Sequence, residues 1–392
     1  MSLSFPNPPV PAHVAHAHEL VRRLGEPLLG GNHAELLADG PAARAALLDM
    51  LQGARDHINL DAALLGAADP GEGMLQPLAA LCRQGVRVQV LARTPREAAE
   101  LGPLRRAGAT VRTLEPPGGL GGWVAQRYQA MQRQLAVVDG RTAWSGPGFA
   151  CTGAHAQGPH LRVRGPIVQR MQRLFLDTWK TAGPRLPAPP PQHFPPIALS
   201  GRQRMGVASR AGPSPLLGAV DTARFSVFLA LTRRAPSRRL VQAIASAAQR
   251  GVNVSVLLQH GAPHAWPWRA SCAELMRAGA WLYQADGTRP LPPHSTVDGV
   301  WSSVAIDSGS GWHSGNVVDA AQLIVLDPGF ASELDDACQA AMAHALLLDA
   351  KSLAGPAPLR RWFGAAAPAR APVAEPALTS VARSVEGPGL SP

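Results

Sequence analysis

Three segments of this 392-residue sequence occur twice, in the same order. An internal repeat constrains a fold more tightly than composition does, because both copies must adopt one supersecondary unit and bury their apolar faces against something. Leu78-Ala79-Ala80-Leu81-Cys82-Arg83-Gln84-Gly85-Val86-Arg87-Val88-Gln89-Val90-Leu91 is answered by Ile244-Ala245-Ser246-Ala247-Ala248-Gln249-Arg250-Gly251-Val252-Asn253-Val254-Ser255-Val256-Leu257. Leu104-Arg105-Arg106-Ala107-Gly108-Ala109 is answered by Leu275-Met276-Arg277-Ala278-Gly279-Ala280, and Val138-Asp139-Gly140 by Val297-Asp298-Gly299. Each of the first two pairs is a helix that stops at a glycine and feeds a strand. The third is a strand ending in an acidic turn. Two copies related by a pseudo-twofold axis are expected, with the two acidic turns facing one another across a shared cleft.

The order of elements specifies the class. Ala34 to Leu37 reads as a strand, Ala42 to Arg55 as a helix and His57 to Leu60 as a strand. Met74 to Gln84 then reads as a helix, Val86 to Leu91 as an alternating strand, and a further helix ending at Ala107-Gly108 leads to the strand Ala109 to Leu114. This is β-α-β-α-β, an α/β unit with a mixed, largely parallel sheet flanked by helices. Residues 1–30, with Pro6, Pro8, Pro9 and Pro11 and then His13, His16 and His18, read as a solvated arm and not as a metal site. The first α/β domain is expected over 31–183 and the second over 216–364. Between them, 184–215 is proline-dense and reads as a stiff irregular crossing, and 365–392 is an Ala/Pro-rich disordered tail.

Charge narrows the partner. Lys and Arg number 37 against 27 Asp and Glu, a formal +10, which favours phosphate-bearing surfaces such as anionic lipid or nucleic acid. The four cysteines show no Cys-x-x-Cys spacing, so neither a zinc site nor a disulfide framework is signalled, and a reducing cytoplasm fits. No signal peptide and no run of about 18 apolar residues is found, so any membrane contact is expected to be peripheral.

The run Gln132-Arg133-Gln134-Leu135-Ala136-Val137-Val138-Asp139-Gly140 reads as a short buried strand delivering Asp139 to a tight turn. It also resembles the His-x-Lys-x-x-x-x-Asp-Gly site of the phospholipase D superfamily. Gly31-Asn32, Gly165-Pro166-x-Val168 running to Phe175 and Trp179, Asp298-Gly299-Val300-Trp301, and Asp327-Pro328-Gly329-Phe330 extend the likeness over about residues 30–360. Taken in order, they resemble bacterial cardiolipin synthases. The resemblance implies a bilobal fold with one such motif from each half. One histidine would attack phosphorus, the other would shuttle the proton, and lysines would hold the nonbridging oxygens without any metal or other cofactor.

At these positions the chain departs from the pattern. Gln132 and Gln134 stand at the His and Lys positions, Pro147 interrupts a Gly-Gly, and Phe149 replaces an Asn. In the second half His294 precedes Asp298 by only three intervening residues, which reads as a shortened motif with no lysine. A carboxamide has no basic lone pair near neutral pH, so Gln132 cannot be the nucleophile.

Two roles are therefore open for His294, Asp298 and Asp139: a residual catalytic set centred on His294, or a turn histidine with two turn acids. His264 and His313 are further histidines that could stand in for a missing one. Gln132 and Gln134 remain able to hydrogen-bond a phosphate. The expected function is binding of acidic glycerophospholipids such as phosphatidylglycerol by a cardiolipin synthase-like protein with impaired phosphatidyl transfer, peripheral to a membrane, as a homodimer or beside an active relative. The alternatives are an active phosphatidyltransferase or phosphodiesterase using His294, and, ranked last for want of a binding-module motif, a nucleic-acid-binding relative.

Overall fold

A computed structural model of the chain describes residues 16, 19, 22, 27–37, 40–65, 73–92, 94–114, 134–146, 160–182, 194–196, 198–208, 215–231, 236–258, 266–286, 294–306 and 321–349. Gln132, Phe149, His264, His313 and the tail 354–392 lie outside the described residues.

The first half runs β1 (Leu29–Leu37), α1 (Gly40–Gln52), β2 (His57–Asp61), α2 (Leu75–Arg83), β3 (Arg87–Ala92), α3 (Pro95–Glu100), α4 (Gly102–Arg106), β4 (Thr110–Thr113), β5 (Leu135–Val138), β6 (Thr142–Ser145), β7 (His160–Arg164) and α5 (Ile167–Thr181). The second runs β8 (Gln203–Ala208), α6 (Pro215–Thr222), β9 (Ser226–Leu231), α7 (Arg238–Gln249), β10 (Asn253–Leu258), α8 (Trp266–Arg277), β11 (Trp281–Gln284), β12 (His294–Val297), β13 (Trp301–Ala305), β14 (Gln322–Leu326), α9 (Pro328–Met342) and β15 (Leu346–Leu347).

Local chemistry places the helix ends. Thr94 accepts the Glu97 N–H at 3.1 Å ahead of Pro95, and Ser237 accepts the Leu240 N–H. Asp327 accepts the Phe330 N–H at 2.8 Å ahead of Pro328. After α2 and α7 the equivalent glycines Gly85 and Gly251 sit at φ 92° and 88°, the left-handed stop expected of the repeated Gly-Val.

All fifteen strands form one sheet, in the order β15-β11-β10-β9-β12-β13-β14-β8-β1-β7-β6-β5-β2-β3-β4. Outwards from the β1–β8 junction the halves match strand for strand: β1, β7, β6, β5, β2, β3, β4 against β8, β14, β13, β12, β9, β10, β11. The sheet is mixed, as expected, but parallel pairing is confined to β2–β3–β4 and β9–β10–β11. The other pairings are antiparallel, among them β5–β6–β7 and β12–β13–β14.

Two differences from the sequence reading have simple causes. Strand β8 falls inside the stretch 184–215 expected to be irregular, since residues 197–212 contain no proline and Met205 and Ala208 are buried. His16, expected on a solvated arm, is 1% exposed and bonds to Asp298.

Three apolar clusters make the core. One lies under α1–α4 in the first half and one under α6–α8 in the second. The third is shared: Leu135, Val137, Phe175 and Trp179 of the first half join Phe228, Val304, Phe330 and Leu334 of the second. Helix α5 packs on β8 as well as on β5–β7, and α9 packs on β1 as well as on β12–β14, so each long helix is clasped by the opposite half.

Gly165 caps the β7–α5 corner at φ 104°, and a Cβ there would lie 2.7 Å from the Gly31 carbonyl oxygen and 2.8 Å from the Asn32 Cα. Gly85 is also left-handed but has nothing within 4 Å. Gly165→Ala is expected to cost about 3 kcal/mol or more and Gly85→Ala about 1 kcal/mol, since only the first adds a backbone clash to the conformational cost. Urea denaturation of the two variants checks the difference.

Candidate functional site

The strand β5 has two ends with different roles. At its amino end the Leu135 N–H donates to Asp61 Oδ2 at 3.2 Å, at the carboxyl end of β2. Beside it the Gln134 N–H donates across the halves to the Ile306 carbonyl at 3.1 Å, just past β13. The halves therefore meet where the carboxyl ends of the parallel strands gather, the edge at which open α/β sheets bind ligands. Buried Asp61, Ser145 and His160 sit along this edge in the first half, and buried His294, Ser303 and Gln322 in the second. Gly146 packs directly on His160, where a Cβ would come 2.5 Å from Nδ1, and the Trp144 ring lies 5.7 Å from that imidazole. Sequence reading missed Asp61 and His160, which belong to no motif and become neighbours of the edge only through strand pairing.

At the carboxyl end of β5 lies Asp139, about 16 Å along the strand from Gln134 at about 3.3 Å per residue. Its Oδ1 accepts the Asp56 and His57 N–H groups, and its Oδ2 the Arg55 N–H, each at 2.9 Å. Asp298 does the same for the second half: Oδ1 accepts from Phe225 at 2.7 Å and Ser226 at 3.0 Å, and the Arg224 N–H reaches both oxygens. Both aspartates adopt positive φ, 51° and 53°, which their short polar side chains tolerate. The two turns do not face one another across the cleft as expected. They cap the amino ends of β2 and β9, at the end of the sheet away from the Gln134–Ile306 contact, because β5 and β12 run antiparallel to those strands.

The equivalence of the turns also fixes the second motif's frame. Asp139 N–H bonds the His57 carbonyl and Asp298 N–H the Ser226 carbonyl, both at 2.9 Å, and β5 and β12 each span four residues before the turn. His294 is therefore the counterpart of Leu135. Counted back from Asp298 as in the first half, the His and Lys positions fall on Leu291 and Pro293, outside the described residues. His294 is 1% exposed, stacks on Phe228 at 5.8 Å, and places Nε2 2.9 Å from Cys338 Sγ in the shared core. Burial, followed by the charge of Asp335, pushes the Cys338 thiol pKa far up, so it is a neutral packing partner and not a thiolate.

The comparisons with known proteins agree with this architecture. No family model matches the sequence. The chain is 25% identical over 312 residues to a cardiolipin synthase of Listeria welshimeri, covering 71% of this chain and 63% of that protein's length. It is 26% identical over 359 residues to cardiolipin synthase A of Cronobacter sakazakii, covering 84% of this chain and 73% of that one. In sequence the chain is therefore similar to bacterial cardiolipin synthases over most of its length.

For the fold, the crystal structure of phosphatidylserine synthase from Haemophilus influenzae superimposes with a TM-score of 0.61 at 11% identity, covering 86% of this chain and 92% of that one. Polyphosphate kinase from Porphyromonas gingivalis gives 0.54 at 15% identity over 90% of this chain and 53% of that one. Among the described residues no helix is long and apolar enough to cross a membrane. Of the five residues singled out as its site, Gln134 lies at the cleft edge, His294 is buried beside it, Asp139 and Asp298 cap strands elsewhere, and Gln132 is outside the described residues.

Burial pushes the Asp298 carboxyl up, but the His16 hydrogen bond and the three backbone N–H donors outweigh it and hold the pKa below its ordinary 3.8. A depressed folded-state pKa means stabilisation that is present above the unfolded value and lost as pH falls through the folded one. Asp298→Asn is expected to lower stability by about 2–3 kcal/mol at pH 7, where the carboxylate serves several donors, and to shrink the loss the wild type shows below about pH 4. Denaturant titrations at pH 7 and pH 3 read both effects.

Proposed function

We propose that this protein binds the phosphate of acidic glycerophospholipid headgroups in the cleft between its halves and has lost the phosphatidyl transfer of its relatives. The carrying observation is the matched pair of aspartate turns. It supports a frame in which the four motif positions hold Gln132, Gln134, Leu291 and Pro293. None of these can form a bond to phosphorus and leave again, and none can carry a proton near neutral pH. Loss of one general acid alone costs about 10²–10⁴ in rate, and here both acid-base groups and both lysines are replaced. Gln132 and Gln134 keep amide donors for phosphate oxygens, and the formal charge of +10 favours an anionic bilayer surface. Contact with that surface is peripheral in this reading. Pairing with an active relative would supply the missing groups in trans, which a second copy of this chain would not.

An active enzyme centred on His294 is the rival. Its weakness is that the imidazole lies in the shared core between Phe228 and Cys338, with 1% of its surface exposed.

Incubation with phosphatidylglycerol vesicles is expected to yield no cardiolipin above a protein-free control, while co-sedimentation with those vesicles is retained. Cardiolipin formation abolished by His294→Ala would overturn the proposal. His294→Leu, which installs the residue found at the equivalent position of the first half, is expected to change stability by less than about 1.5 kcal/mol and to leave vesicle binding unchanged.

A further inference from the structure

At the end of the sheet remote from the cleft, the β5–β6 turn, the β7–α5 corner and the segment around Pro195 enclose a cavity of about 170 Å³. Arg141 of the β5–β6 turn and Arg164 at the end of β7 line it, together with Thr142, Gln169 and Ser200. Neither arginine has an ion pair or side-chain hydrogen bond among the described residues, and no carboxylate lines the cavity. The nearest one in sequence, Asp139, already accepts three backbone N–H groups. Gln169 donates its amide to the Pro195 carbonyl at 3.0 Å and so fixes the far wall.

The second half is an internal control for this feature. Matching the Asp139 and Asp298 turns puts Val300 at the position of Arg141 and Trp301 at that of Thr142. Matching the pairing of β7 with β6 to that of β14 with β13 puts Leu326 at the position of Arg164. The same backbone is therefore built with apolar residues in the other copy, and the paired arginines are not a requirement of the fold. Two arginines, one in the β5–β6 turn and one at the end of β7, bring two rigid donor forks to one cavity, with the Thr142 and Ser200 hydroxyls as further donors. That set matches a tetrahedral, multiply charged oxyanion better than a carboxylate. The volume admits such an anion with ordered water.

We infer that Arg141 and Arg164 form a phosphate-binding site distinct from the cleft between the halves. The site takes a phosphate group with a small substituent, carried by a soluble phosphate ester or by a lipid headgroup. It does not depend on the reading of the cleft, because it lies a strand's length away and shares no residue with it.

Isothermal titration of the full chain with inorganic phosphate, and then with glycerol phosphate, tests the site. Arg141→Gln/Arg164→Gln is compared with Arg105→Gln/Arg106→Gln, which removes the same charge from exposed positions of α4. Saturable binding that weakens at least tenfold in the first double variant and stays within twofold in the second is the expected result, with unchanged thermal melting of both. Equal weakening in both variants, or no saturable binding to wild type in the millimolar range, overturns the site. Vesicles of phosphatidylcholine with and without phosphatidylglycerol then separate the sources. Phosphatidylglycerol-dependent binding that inorganic phosphate competes away supports the site with a headgroup as ligand. Phosphate binding that vesicles do not displace supports it with a soluble ester.

Discussion

The structure depends on one strand pairing. Strands β1 and β8 run antiparallel at the centre of the sheet, with Asn32 opposite Gln203 and Leu29 opposite Met205. That register sets two residues, Gly30 and Gly31, against one, Arg204, a bulge in which Gly31 adopts φ 80°. Buried Asn32 spends its side chain on the junction: Oδ1 accepts the Ile167 N–H at the start of α5, and Nδ2 donates to the Leu29 carbonyl. Gln203 answers from the other half, accepting the Ala34 N–H and reaching Asp327, the N-cap of α9. The two central helices are thus tied to the two strands that join the halves, and the shared apolar cluster between them follows from that tie.

The joined halves divide the sheet ends between two kinds of chemistry. At one end the acidic turns are consumed by architecture: Asp139 and Asp298 each collect three backbone N–H groups, and His16 further holds Asp298 while its other ring nitrogen lies 3.0 Å from the Thr222 hydroxyl. At the other end the Gln134 N–H meets the Ile306 carbonyl across the halves. Both carboxylates cap the amino ends of β2 and β9, at the end of the sheet away from the Gln134–Ile306 contact.

The asymmetry between the copies is as informative as their likeness. Leu135 is matched by His294 and Val137 by Thr296, and these two polar residues find partners on α9 in Cys338 and Asp335. Burial raises the Asp335 pKa, with the Thr296 hydroxyl opposing the shift. Arg141 and Arg164 are matched by Val300 and Leu326. At these four pairs of positions the second copy is polar in its interior and the first at its rim.

Sequence alone determined the repeat, the alternation of helix and strand, the glycine stops at Gly85 and Gly251, and the replacement of His and Lys by Gln132 and Gln134. These are properties of residue identity and short spacing, and the chain cannot hide them. Tertiary structure decided what spacing cannot express. The antiparallel course of β5 against β2 carried the aspartate turns away from the cleft, and strand pairing brought Asp61 to Leu135 across more than seventy residues. Only a matched hydrogen bond, Asp298 to Ser226 as Asp139 to His57, showed that His294 is the partner of a leucine. Motifs record positions along a chain, whereas the role of a side chain is set by which neighbours the sheet register gives it.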